Sequence, residues 1–251
     1  MEVYGIEARL NRLSLGNGRY FVLVLDDAFI SGLSSSQQVY RTVVDAAGQD
    51  GRPALMAYPG FFLRHVPPQY RIGRIVSLTV STTFRSVSDK RLAFKPVDAS
   101  AVAADAVVVH VSMGVPGEGR MLGQLAEVCR DAHDIGLPVM AAMYARTENG
   151  DPIPDAALQA HAARCGAEIG ADLLKVPWPG SLDGFERIVD ATYPAPVLLA
   201  GGLPTSDDET LHMVKNCIDT GSAGVCFGRR ILAAEDPIQL MKDILALLDT
   251  S

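Results

Sequence analysis

A chain of 251 residues, 48% hydrophobic and 20% charged, has the apolar material for a large core and too little charge for a disordered segment. Its formal net charge of −7 offers no basic face to nucleic acid or anionic lipid, so an anionic substrate has to be held by local geometry. Four cysteines (Cys129, Cys165, Cys217, Cys226) show no CxxC spacing, residues 1–14 lack the apolar centre of a signal peptide, and no run is long enough to cross a membrane. The expectation is a cytoplasmic protein with reduced thiols.

From the N-terminus, an amphipathic helix at about 5–14 precedes eight short apolar runs. They are RYFVLVLD (19–26), PALMAY (53–58), RIVSLTV (74–80), AVVVHVSM (106–113), PVMAAMYA (138–145), DLLKVPW (172–178), PVLLAGG (196–202) and AGVCFGR (223–229). Most are continuously apolar rather than alternating, the pattern of parallel strands covered on both faces. The segments between them carry helix signals. SSSQQVYRTVVDAAG opens on serines, GEGRMLGQLAEVCRDAHDIG closes on Gly136, and Ser206 stands three residues before Glu209 as a capping box. Only STTFRSVSDKRLAFKPVDASAVAA, after the third run, reads mostly as loop with at most a short helix. Eight β–α units without a linker predict an α/β fold, a single (β/α)8 TIM barrel over 1–251 with the barrel at 19–250. A doubly wound open sheet is the competing arrangement, and no GxGxxG or P-loop follows the first strand to favour it.

In such a barrel the chemistry gathers at the C-terminal strand ends. Those ends hold Asp26 and Asp27, His110, Tyr144, Lys175, Gly201 with Gly202, and Gly228 with Arg229. Lys175 interrupts an otherwise apolar strand, and alternation puts it on the face of Leu173. Facing inward, its amine is desolvated, which lowers its pKa and populates the nucleophilic neutral form that a Schiff base needs. The ordinary alternatives are a lysine paired with a buried carboxylate or one snorkelling to water. The glycines and Arg229 end the last two strands, where barrels often seat a phosphate. Tyr144 is either a core cap or a proton carrier beside an imine. Of Asp26 and Asp27, one is expected to face solvent or cap the next segment, the other to meet Lys175 or a substrate hydroxyl. His110 is more simply a satisfied core histidine. The five histidines show no HxH or HExxH spacing, so no metal is expected.

With these residues lined up, the chain resembles the archaeal-type class I fructose-bisphosphate aldolases, a family that includes amino-ketose phosphate aldolases and the autoinducer-processing thiolase. FVLVLDD, DAVVVHVSMG, LPVMAAMYAR, GADLLKVPW, PVLLAGGLPT and GSAGVCFGRRIL carry the resemblance, collinear from about residue 14 to the end. The resemblance implies Lys175 as the imine-forming lysine, Tyr144 as acid/base and Asp26 as the carboxylate in the mouth. It implies a substrate phosphate held at Gly201, Gly202, Gly228 and Arg229, with Asp27 and His110 at the substrate site, and self-association into a homo-oligomer. The family's Asp-His-Gly reads here Asp26-Asp27-Ala28, and its Tyr-Pro-Arg-Gly reads Tyr144-Ala145-Arg146-Thr147, so the rim departs while the lysine, tyrosine and glycines stay.

The function expected is a metal-independent aldolase acting on a small phosphorylated ketone such as dihydroxyacetone phosphate, with an amino-acid semialdehyde as acceptor and no cofactor beyond the covalent imine on Lys175. Coenzyme A-dependent acyl transfer and a phospho-ligand-binding barrel without turnover are the alternatives. The decarboxylase pattern Asp-x-Lys-x-x-Asp fails, since Asp172 stands three residues before Lys175 and on the opposite strand face.

Overall fold

The computed structural model describes residues 2–31, 36–84 and 88–250. Its eight parallel strands are β1 (Tyr20–Val24), β2 (Ala54–Ala57), β3 (Arg74–Ser77), β4 (Ala106–Met113), β5 (Val139–Ala145), β6 (Leu173–Val176), β7 (Val197–Ala200) and β8 (Gly224–Phe227). They close in the order β1-β8-β7-β6-β5-β4-β3-β2, so the expected closed barrel forms and the open sheet does not. Most strands are shorter than the apolar runs, whose end residues continue as loops, whereas β4 spans its whole run.

Alternation divides the apolar side chains into two cores. Val22, Met56, Ile75, Val108, Met140, Leu173, Leu198 and Cys226 fill the interior. Phe21, Leu23, Leu55, Val107, Val109, Leu174 and Val176 pack outward under the helices. The N-terminal helix Glu2–Leu13 caps the bottom, where Leu13 joins the interior core and Arg12 Nε donates to Asp105 Oδ1 at 2.7 Å, tying the helix to the start of β4.

Helix starts follow the sequence signals. Ser36 Oγ accepts the Val39 N–H at 3.3 Å, and the Ser206–Glu209 capping box is reciprocal at 3.2 and 3.3 Å. Ser34 and Ser35, which also open the SSSQQ segment, lie outside the described residues. Gly136 takes φ +66°, three residues after the Glu118–His133 helix ends. The third β–α unit is more ordered than its sequence suggests. Past Ser77 the chain turns into an antiparallel hairpin, Thr79–Val80 against Arg91–Leu92, then the short helices Pro96–Ala99 and Ser100–Val102. Two-residue strands are too short for alternation to register, which is why the segment reads as loop; Arg85, Ser86 and Val87 of its turn are outside the described residues.

The β1–β8 seam that closes the barrel requires glycine at position 224. Gly224 adopts φ +140°, and a Cβ there would stand 1.9 Å from the Tyr20 carbonyl oxygen of β1, its register partner. Gly224→Ala combines a forbidden backbone angle with a backbone clash, so we expect it to cost about 3 kcal/mol and lower Tm by roughly 6–12 °C, read by calorimetry. No helix of the described residues is long and apolar enough to cross a membrane.

Candidate active site

Lys175 is 6% exposed and points into the barrel, because it alternates with the interior residue Leu173 while Leu174 and Val176 face the helices. In register it lies between Ala142 of β5 and Leu198 of β7. Its ammonium donates to the Cys226 sulfur on β8, with Tyr144 and Asp26 close enough to act on it electrostatically. Burial pushes the Lys175 pKa down, whereas Cys226 and Tyr144, which act as charges only once ionised, and the Asp26 carboxylate push it up, and the balance lies above the ordinary lysine value. The expected desolvated, neutral amine is therefore corrected. Resting Lys175 is an ammonium that must pass its proton to a neighbour before it can attack. The Cys226 thiol, raised to about 11 chiefly by burial, is protonated at neutral pH.

The two aspartates face opposite ways and both are buried, so the solvent-facing alternative for one of them does not hold. Asp26 is buried in the mouth, where Ser77 Oγ donates to its Oδ2 at 2.5 Å. Asp27 is buried toward the helix layer, where Tyr40 OH donates to its Oδ1 at 3.0 Å. His110 Nε2 stands 4.0 Å from Asp26 Oδ2, and its Nδ1 meets Thr79 Oγ1 at 3.1 Å. Burial, then the ammonium groups of Lys90 and Lys175, hold the imidazole neutral. The carboxylate at Nε2 favours the Nε2–H tautomer, with Thr79 donating to Nδ1.

Tyr144, at the end of β5, lies parallel to the His110 ring with centroids 6.4 Å apart, and Arg146 Cζ sits 5.2 Å from its ring centre on the way out of the strand. His110, Tyr144 and Arg146 thus form one wall of the mouth, across from the glycine loops; His110 stands beside Asp26 there rather than joining those loops.

The loops after β7 and β8 come together, joined by Arg230. Gly202 adopts φ +67°, and a Cβ on Gly228 would come within 2.4 Å of the Val24 carbonyl oxygen, so both positions require glycine. Gly201 donates its N–H to the Cys226 carbonyl at 3.1 Å, which spends that donor within the sheet. Arg230, buried, donates to the Gly201 carbonyl and to Thr205 Oγ1, and reaches Thr210 Oγ1 at 3.3 Å, bolting the two loops together. Arg229 is half-buried at the start of the helix Arg229–Leu232.

The strand-end reading overlooked four contributors: Cys226, Ser77, Lys90 and Arg230. Cys226 was legible, since alternation from Gly228 puts it on the inner face of its strand. Lys90 sits in the segment read as loop. Among the described residues, no three of His, Cys, Asp and Glu converge as a metal-ligand set.

A family model described as DeoC/LacD family aldolase matches residues 22–234. A 2-amino-3,7-dideoxy-D-threo-hept-6-ulosonate synthase from Halobacterium salinarum is 36% identical over 245 residues, 97% of this chain and 91% of that one. A Streptomyces griseus 2-amino-4,5-dihydroxy-6-oxo-7-(phosphonooxy)heptanoate synthase is 31% identical over 237 residues, 93% and 86% of the two chains. Among solved structures, a Schiff-base-forming fructose-1,6-bisphosphate aldolase superposes with a TM-score of 0.89 at 21% identity, over 97% of this chain and 99% of that one. That last likeness concerns the fold; the family match and the two synthases extend over nearly the whole sequence. The chain belongs to the DeoC/LacD family of aldolases.

Proposed function

We propose that this aldolase works through a Schiff base on Lys175, joining a phosphorylated ketone such as dihydroxyacetone phosphate to an amino-acid semialdehyde, with no metal ion or diffusible cofactor. The observation that carries the reading is the dry Lys175 amine inside the barrel, within electrostatic reach of both Tyr144 and Asp26.

Lys175 first gives up a proton to a neighbouring group, then adds through nitrogen to the ketone carbon to form a carbinolamine. Its hydroxyl leaves as water, with protons relayed by Tyr144 and Asp26, and an iminium remains. The iminium draws electrons from the adjacent carbon, whose proton passes to Tyr144, leaving an enamine. The enamine attacks the aldehyde carbon, and the aldehyde oxygen takes up a proton. Water then adds to the iminium, releasing product and restoring the amine. Asp26, held by Ser77, is placed to orient a hydroxyl or assist the dehydration.

Two lines support the substrates. Each relative's product, by its printed name, divides between C4 and C5 into a four-carbon amino-acid semialdehyde and a three-carbon ketone. The ketone half carries phosphate in the Streptomyces compound and ends in a methyl group in the Halobacterium one. Here the braced glycine loops beside Lys175 favour the phosphorylated ketone. Incubation with dihydroxyacetone phosphate and borohydride is expected to add the reduced adduct's mass to Lys175; an unmodified Lys175 across a panel of phosphoketones removes the reading. A turnover that required free coenzyme A would point to acyl transfer instead.

Cys226 supplies a pH test of the same amine. Its hydrogen bond favours the charged form of Lys175, so Cys226→Ala lowers the lysine pKa. The ascending limb of imine formation, where the rate rises as the lysine loses its proton, then moves to lower pH; trapping rates measured across pH show it. A limb that stays in place or moves up would exclude Cys226 from control of the amine.

A further inference from the structure

The β3–β5 side of the mouth holds charge for which the reaction just described has no use. Lys90, in the turn of the hairpin, is 5% exposed, and its Nζ donates to Ser81 Oγ at 2.7 Å. Its backbone carbonyl accepts Arg120 Nη1 at 2.6 Å, clamping this turn to the Glu118–His133 helix. The ammonium acts electrostatically on His110 and lies within range of Asp26, Arg146 and Lys175. Arg146 donates Nη1 to the Gly150 carbonyl at 2.9 Å, but its Nε is buried with no hydrogen-bond partner among the described residues. Ser112, on the inner face of β4 in register with Tyr144, is 0% exposed, and its Oγ likewise has no partner.

Lys90 and Lys175 thus both lie within range of one mouth carboxylate, Asp26, while Arg146 lies within range of Lys90, with Asp151 offsetting part of the Arg146 charge from the following loop. Buried cations and orphaned donors are costly until a partner arrives, and the partner they lack is an anion. The order of strands places this wall across the barrel from β7 and β8, with Lys175 on β6 between them. A ketone whose phosphate lies on the glycine loops and whose carbonyl carbon sits on Lys175 therefore receives its acceptor from the opposite wall.

We propose that Lys90, Arg146 and Ser112 bind the carboxylate of the acceptor aldehyde, at the end of the mouth remote from the glycine loops. The assignment rests on the aldolase reading above and extends it to the acceptor. It matches the heads of both relatives' products, which end in a carboxylate five carbons from the carbonyl carbon. The Lys90 pKa, lowered to about 8 chiefly by burial, leaves the group mostly charged at neutral pH, and a bound carboxylate would raise it again.

The test compares kcat/KM for succinic semialdehyde and for butanal, which carries a methyl group where the former has its carboxylate, with dihydroxyacetone phosphate as donor. The unaltered enzyme is expected to favour the carboxylated aldehyde by about tenfold or more, and Lys90→Met to cut that ratio by about tenfold. Ser112→Ala, a milder change that guards against misfolding, is expected to cut it by about threefold. A ratio near one in the unaltered enzyme, or one that neither variant moves, overturns the proposal. A preference for glyceraldehyde 3-phosphate over succinic semialdehyde that Lys90→Met erases would give the pocket to phosphate and overturn it too. If Lys175 takes no borohydride adduct, calorimetry with L-homoserine, the alcohol counterpart of the amino-acid semialdehyde, decides separately. Binding weakened about tenfold by Lys90→Met sustains the carboxylate seat without the imine, and equal or absent binding rejects it.

Discussion

Lys175→Met lowers aldol turnover by more than about 10⁴-fold and abolishes the borohydride adduct, because no other step can supply the electron sink that the iminium provides. Methionine matches the length of the buried stem and carries no charge, so the barrel is expected to melt no lower than the parent. The informative rival is Lys90. By protonation alone it is the better nucleophile, since its pKa is lowered to about 8 while that of Lys175 is raised. Geometry decides for Lys175. It projects from a barrel strand next to Tyr144's strand and shares the interior with Asp26, whereas Lys90 is hydrogen-bonded to Ser81 on a hairpin at the rim. Peptide mapping of the adduct separates the two: mass on Lys90, or turnover in Lys175→Met within about tenfold of the parent, would end the mechanism.

Tyr144→Phe is expected to reduce kcat by about 10²–10⁴-fold with little change in KM, the signature of a lost proton carrier rather than a lost binding contact. The ring lies parallel to His110 and has Arg146 over its face, so phenylalanine keeps both contacts and the change is confined to the hydroxyl. Imine formation and carbon deprotonation come apart in this variant. The trapped adduct persists, while exchange of the ketone's α-proton into deuterated water slows in proportion to turnover. Exchange at the parent rate would assign the proton transfer to another group.

The barrel was readable because parallel strands buried on both faces leave continuous apolar runs, and eight of them stand in this chain at β–α spacing. The inward face of Lys175 followed from strict alternation with Leu173, a periodicity that tertiary packing cannot shift without inverting the whole strand. Its protonation did not follow, since burial and neighbouring groups act in opposite directions and only their distances decide which prevails. The separation of Asp26 from Asp27 was legible in outline, as adjacent strand-end residues must diverge, but the Tyr40 hydroxyl that buries the second one comes from a distant helix. Lys90 escaped because a two-residue strand leaves no periodicity, and Arg230 because adjacent arginines on one short helix cannot be told apart without knowing which turns inward.

The Arg230 bolt has a consequence for how such an enzyme could diversify. With one guanidinium holding the Gly201 carbonyl and two threonine hydroxyls, the donor side of the mouth behaves as a single rigid plate, and admitting a different ketone means recutting two loops in concert. The facing wall takes much of its charge from one hairpin riveted to a single helix, so a handful of exchanges there can retune which aldehyde is admitted while the donor template stays as it is.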